Sequence, residues 1–156
     1  FMQKHLLSHK PFQESYVPDG MKDTDEAIKE YDDILKKHPI DIQILGIGEN
    51  GHVGFNEPGT SFAAKTHLAE LSESTIEANS RFFNGNEEVP KTAITMGIKS
   101  ICDAKAIVWL AYGKSKAEAI AATVEGPVTE EVPASSLQNH PNIFVIIDED
   151  AAAKLK

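Results

Sequence analysis

The sequence is poor in cysteine, in aromatic residues and in positive charge, and it has no long apolar run. Each shortage excludes something. The single Cys102 cannot close an intrachain disulfide, which argues against a disulfide-stapled secreted scaffold and for a reducing, cytoplasmic setting. Cys102 itself reads as a small buried hydrophobe. Fifteen Lys and Arg stand against twenty-four Asp and Glu, a net charge of −9, so neither nucleic acid nor an anionic membrane surface is an expected partner. Any anionic ligand has to be held by local cations. No stretch reaches the roughly 20 apolar residues of a membrane span, and the opening Phe1-Met2-Gln3-Lys4-His5 lacks a signal-peptide pattern. A chain that opens on Phe1 rather than Met reads as the interior of a longer protein. With 156 residues, 41% of them hydrophobic and 25% charged, the chain is expected to form one domain with a real core, spanning 1–156.

Hydrophobic periodicity supplies the elements. Asp23 to Lys37 places Ile28, Tyr31, Ile34 and Leu35 on one helical face, with acids at its start and Lys36 and Lys37 at its end, as the helix dipole favours. His38-Pro39 ends it, and Ile40, Ile42, Ile44, Leu45 and Ile47 predict a largely buried strand. Ser74 with Glu77 has the spacing of a capping box and predicts a helix carrying Ala78, Asn79, Arg81 and Phe82, stopped by Asn84-Gly85-Asn86. A strand over Ala93 to Met96, a short helix over Gly97 to Asp103 and a strand over Ala106 to Ala111 follow. Ser115 with Glu118 predicts a second capping box, opening an alanine-rich helix that Gly126 and Pro127 close; Ile143 to Ile147 is the last strand. The alternation predicts an α/β fold, a doubly wound and mainly parallel sheet with helices on both faces.

The richest segment runs from Leu45 to Gly59. It sets five glycines, His52 and Glu57 directly after a strand, the place where open α/β sheets bind ligands. Gly46, Gly48 and Gly51 formally complete the G-x-G-x-x-G pattern of dinucleotide sites, but they run into His52, Phe55, Asn56 and Pro58, a poor helix start, which counts against that fingerprint. His52 can take and give a proton near neutrality, and Glu57 five residues on can hold its tautomer. Spacing alone leaves room for the plainer alternative of a loop histidine and a capping acid. Lys114 and Lys116 follow a strand and Gly113 and open a helix, a geometry that can gather a phosphate, and Arg81 could grip one bidentately; solvated surface cations would have the same spacing. His5, His9, His38, His67 and His140 show no metal-ligand spacing, and no metal is expected.

Taken together, Leu45 to Gly59, Ala78 to Phe83, Val89-Pro90-Lys91 and Gly113 to Gly126 resemble the glucosamine-6-phosphate deaminase (isomerase) family across nearly the whole chain. The junction of Gly51-His52 with Phe55-Asn56-Glu57-Pro58 carries the resemblance and separates it from the related 6-phosphogluconolactonases. The resemblance implies a Rossmann-like three-layer sandwich and cofactor-free conversion of glucosamine 6-phosphate and water into fructose 6-phosphate and ammonia, a hydrolytic deamination in amino-sugar breakdown. It implies His52 as the acid/base of ring opening, Glu57 as the residue that orients it, and Asn50 at a position where several members have aspartate. Arg81 and Lys116 match the phosphate-binding cations; Gly46, Gly48 and Gly51 are expected to bind substrate because glycines let the loop backbone approach a ligand closely.

Two departures matter. The family's Asp-Glu-Tyr motif, whose aspartate removes the C2 proton, and its phosphate loop belong upstream of Phe1, so the N-terminal strands are expected to be missing and this polypeptide alone to be inactive or impaired. Members activated by N-acetylglucosamine 6-phosphate carry serine, arginine and lysine where this chain has Thr60, His67 and Ala69, so loss of that anionic effector site is expected. The family includes monomers and hexamers, and a homo-oligomer stays open. A sugar-phosphate sensor module and a neighbouring lactonase or sugar-phosphate isomerase are the alternative functions; fold analogy alone does not choose among them.

Overall fold

The computed structural model describes residues 2–10, 12–83 and 89–156. In chain order the elements are α1 (Thr24–Lys37), β1 (Ile42–Leu45), β2 (His67–Glu70), α2 (Glu73–Ser80), β3 (Thr92–Thr95), α3 (Ile98–Cys102), β4 (Ala106–Ala111), α4 (Ala117–Val124) and β5 (Ile143–Ile147). Asp23 caps α1 by accepting from the Glu26 N–H at 3.1 Å, with Asp25 and Glu26 in the first turn and Lys36 and Lys37 in the last, the charge arrangement read from the sequence.

The main sheet is parallel, in the order β1-β4-β5, with Leu45 beside Trp109 and Trp109 beside Val145. Register places Leu45, Ile107, Trp109 and Ala111 on one face, where Ile101 of α3, Ala119 and Ile120 of α4, and Ala134 and Leu137 of a 3-10 segment (Pro133–Asn139) bury them. Ile107, Trp109, Ile120 and Leu137 are each at most 1% exposed. The expectation of a largely buried first strand is corrected here. Ile42 and Ile44 alternate onto the opposite face and are 63% and 65% exposed, together with Phe144 and Ile146 of β5, while Ile47 is buried in the loop beyond the strand. β2 and β3 form a separate antiparallel pair that the sequence reading, which had only β3, did not anticipate.

Neither predicted capping box forms. The cap of α2 is Ser72, two residues before Ser74, and Arg81 is the residue that closes the helix rather than one inside it. The predicted Asn84-Gly85-Asn86 stop lies outside the described residues. α4 is entered through a 3-10 turn, Lys114–Lys116, without a side-chain cap, and Glu118 pairs instead with Lys154. Cys102 is half-buried at the rim of the core, where burial pushes its thiol up from the ordinary range. No described helix is long and apolar enough to cross a membrane.

Candidate active site

The glycine-rich segment leaves the end of β1 and is fastened at several points. The Asn56 amide, fully buried, donates to the carbonyls of Val53 at 2.7 Å and Met96 at 2.9 Å, and the Phe55 N–H donates to Thr95 Oγ1 at 3.1 Å, tying the loop to the end of β3. The Gly51 carbonyl accepts from the Ala134 N–H at 2.9 Å, and the Gly59 N–H donates to the Glu130 carbonyl at 2.9 Å. A loop with this many crossbonds holds its side chains in fixed directions.

Two glycines are required by what lies next to them. Gly51 adopts φ +83°, a left-handed conformation, with Val132 packed where a side chain would start. Gly48 lies flat against the His52 ring, so any Cβ there would collide with the imidazole. Gly46 has open space around it.

His52, Asn50 and Glu57 form a connected relay. The Glu57 carboxylate can only accept, so the Asn50 amide must turn its NH₂ toward it; that bond is 2.7 Å. The Asn50 carbonyl then faces His52 Nδ1, also at 2.7 Å, and must receive a proton from it. The protonated nitrogen is therefore Nδ1, leaving the Nε2 lone pair free. Direct approach of Nδ1 to Glu57 Oε2 is longer, 3.5 Å. The two side chains are 18% and 12% exposed. Burial pulls the His52 pKa below its ordinary value, with Glu57 opposing and Lys116 assisting that shift, so the neutral base is favoured. For Glu57, burial acts upward but hydrogen bonds from Thr75, Asn50 and Ser72 outweigh it, and the carboxylate stays ionised below its ordinary range.

A cleft of ≈ 580 Å³ opens at this relay, lined by Gly48, Asn50 and His52 of the loop and by Arg81 and Lys116 from other elements. The cations arrive on separate elements: Arg81 closes α2, and Lys116 ends the 3-10 turn whose preceding Gly113 N–H is held by the Asp148 carboxylate at 3.0 Å. Lys114 does not line the cleft. Of the predicted glycines, Gly48 lines both the cleft and a smaller recess that also borders His52, Gly46 lines only that recess, and Gly51 lines neither. Glu57 sits behind Asn50 and borders a separate recess of ≈ 330 Å³ that also contains Thr60, His67 and Ala69. Residues the sequence reading missed are Ser72 and Thr75 at the start of α2, which surround Glu57 and His52, and Asn79, whose side chain donates to the Thr75 carbonyl at 2.8 Å at the cleft wall. An S-x-x-T pair at a helix start was the available signal. His140, by contrast, is buried far from the cleft, its Nε2 donating to the Ala104 carbonyl at 2.9 Å and its Nδ1 accepting from the Asn142 N–H.

The chain is 64% identical over 156 residues to a glucosamine-6-phosphate deaminase of Lactobacillus johnsonii, covering 99% of this chain and 65% of that protein. It is 61% identical over 157 residues to the deaminase of Streptococcus pneumoniae strain Hungary19A-6, covering 100% and 67%. The chain thus spans about two thirds of the length of these curated relatives. Its fold superposes on a monomeric glucosamine-6-phosphate deaminase with a TM-score of 0.86 at 45% identity, covering 89% of this chain and 58% of that one. The 6-phosphogluconolactonase of Trypanosoma brucei shares the fold alone, with a TM-score of 0.65 at 18% identity over 94% of this chain and 58% of that one. Residues 1–145 match the family of glucosamine-6-phosphate isomerases and 6-phosphogluconolactonases, and the chain, an α/β protein with a mainly parallel Rossmann-like sheet, belongs to it.

Proposed function

We propose that this chain is the part of a glucosamine-6-phosphate deaminase that opens the sugar ring and holds the phosphate. The observation that carries the reading is the Glu57-Asn50-His52 relay facing Arg81 and Lys116 across one cleft. With Nδ1 protonated toward Asn50, the free Nε2 lone pair takes the proton of the anomeric hydroxyl and returns it to the ring oxygen as the ring opens. Glu57, held ionised, supports the transient imidazolium through the Asn50 amide. Arg81 and Lys116 supply the local cations that a chain of net charge −9 needs to hold a phosphate. Gly48 leaves room for the His52 ring beside the cleft, and Gly51 shapes the turn.

The base that removes the C2 proton is assigned to no residue of this chain. The overall change, aldose to ketose with loss of ammonia, is an isomerising deamination, for which the label hydrolase is too narrow. Thr60, His67 and Ala69 share the recess that Glu57 borders, where among the described residues only His67 can carry positive charge, which supports a substrate response without activation by an anionic effector. One α/β unit over 1–156 acting on a phosphosugar in the cytoplasm completes the reading.

The test is ammonia release from glucosamine 6-phosphate, by this chain and by this chain joined to the part of the Lactobacillus johnsonii relative that the match leaves uncovered. We expect release from the joined protein, little or none from the chain alone, and hyperbolic substrate dependence unaffected by N-acetylglucosamine 6-phosphate. Hydrolysis of 6-phosphogluconolactone in place of ammonia release would overturn the reading.

A further inference from the structure

Helix α2 begins beside the relay and ends in the cleft, and the contacts at its start exceed what a helix cap needs. As a cap, Ser72 Oγ accepts from the Thr75 N–H at 3.3 Å, a long bond. Yet Ser72 also directs two donors at Glu57, fifteen residues earlier in another loop: its N–H lies 3.3 Å and its Oγ 3.1 Å from Glu57 Oε1. Glu57 Oε2 is taken by Asn50, so both carboxylate oxygens are held from different sides.

The hydroxyl protons can be assigned by counting. Ser72 Oγ has one proton, with Glu57 Oε1 at 3.1 Å, Thr75 Oγ1 at 3.0 Å and Ser74 Oγ at 3.1 Å as neighbours. Donation to the carboxylate is charge-assisted and is the stronger choice. Thr75, 3% exposed, then directs its own proton at Glu57, and its Oγ1 stands 3.5 Å from the protonated His52 Nδ1 as a second, long acceptor. The Thr75 carbonyl meanwhile accepts from Asn79, one turn further toward Arg81.

We propose that Ser72 and Thr75 are positioning residues that tie the Glu57 carboxylate and the His52 ring to the start of α2, the helix that delivers Arg81 to the cleft. Proton handling and phosphate holding are thereby set by one rigid element. The assignment rests on the reading of His52 as the acid/base. Loss of either hydroxyl lets Glu57 turn from Asn50, and misplacement of a catalytic group by about 1 Å costs on the order of 100-fold in rate.

The experiment compares Ser72→Ala and Thr75→Val with the conservative Ser72→Thr and Thr75→Ser. Kinetics are read in the joined protein described above; the His52 imidazole titration and the melting temperature are read by NMR and by thermal unfolding of the chain itself. The charged groups facing His52 are Glu57 and Lys116. The expected result is a fall in kcat of about 10- to 100-fold for Ser72→Ala and Thr75→Val with KM within about twofold. Their His52 titration moves downward as Glu57 loosens, and both conservative variants recover most of the loss. The proposal is overturned if kcat and the His52 titration are unchanged in Ser72→Ala and Thr75→Val, or if only the melting temperature falls, which would leave Ser72 a plain cap. If the unsubstituted joined protein releases no ammonia, the acid/base reading fails, and the His52 titration alone then decides whether the tether exists.

Discussion

The two walls of the cleft are built on opposite plans. On the relay side the connecting groups are paired in advance: Glu57 accepts from Asn50 and Ser72, and Asn50 accepts from His52, over 2.7 to 3.3 Å, with the His52 Nε2 lone pair left open. On the cation side, among the described residues, neither Arg81 nor Lys116 has an ion pair; Arg81 only stacks over the Phe82 ring at 4.8 Å, and Phe82 is itself 67% exposed. The relay wall is finished before a ligand arrives, and the cation wall is not. Groups that move protons gain from being oriented in advance, because no reorganisation is then needed during reaction. Cations left without counter-ions in an acidic protein keep their full donor capacity for an anion that comes from outside.

The sharpest way to break the comparison is to remove the end of the relay. His52→Gln in the joined protein is expected to cut ammonia release by roughly 1,000-fold, within the usual range for loss of a general acid/base, while substrate binding measured by calorimetry changes little. Next is Gly48→Ala. Its Cβ must displace the His52 ring, so a loss on the order of 100-fold in kcat is expected although no polar group is touched. Gly46→Ala, with open space at that Cβ, is the control and should stay within a few-fold. The opposite wall should answer in KM. Arg81→Ala and Lys116→Ala are each expected to weaken glucosamine 6-phosphate binding by about 10- to 100-fold, the equivalent of one or two lost charge-assisted bonds. Arg81→Lys should recover only part of it, since a point charge replaces a planar fork. Equal falls in kcat on both walls would erase the distinction.

The two walls also differed in how far the sequence revealed them. β4, β5 and α1 were legible because their apolar periods and end charges agree, and His52 with Glu57 stood out by residue type in a glycine-rich turn. The role of Asn50 as a bridge was not legible: it depends on which way an amide faces, and that follows only once Glu57 is seen beside it at 2.7 Å. Ser74 looked like the better cap because Glu77 follows at capping-box spacing, but the N–H that a box would satisfy belongs to Ser72 and is taken by Glu57 from another loop. The buried-strand reading of β1 failed for a similar reason. Period cannot say which face of a strand is covered, and Ile42 and Ile44 point to the face opposite the core.

The smallest expected effect concerns stability rather than rate, and it concerns the relay wall alone. His52 is held neutral in the fold chiefly by burial, so its folded pKa lies below the ordinary value of 6.5 that applies when the chain is unfolded. Between those two values the unfolded chain binds a proton that the folded chain refuses, so stability rises with pH through that window. The contribution is complete above pH 6.5 and is lost progressively as the pH falls toward the folded pKa. Glu57, depressed below its ordinary 4.5, acts in the same sense in a lower window, its stabilisation present above 4.5 and lost beneath it. Melting temperature should therefore decline on acidification in two separable stages. His52→Gln, which cannot take up the proton, should flatten the first stage and leave the second in place. Arg81→Ala and Lys116→Gln test the contrast: Lys116, whose charge helps hold the His52 pKa down, should shrink the first stage when neutralised, and Arg81 should leave both unchanged. A first stage that persists in His52→Gln would assign it to another group and overturn the statement that His52 is kept neutral by its place in the fold.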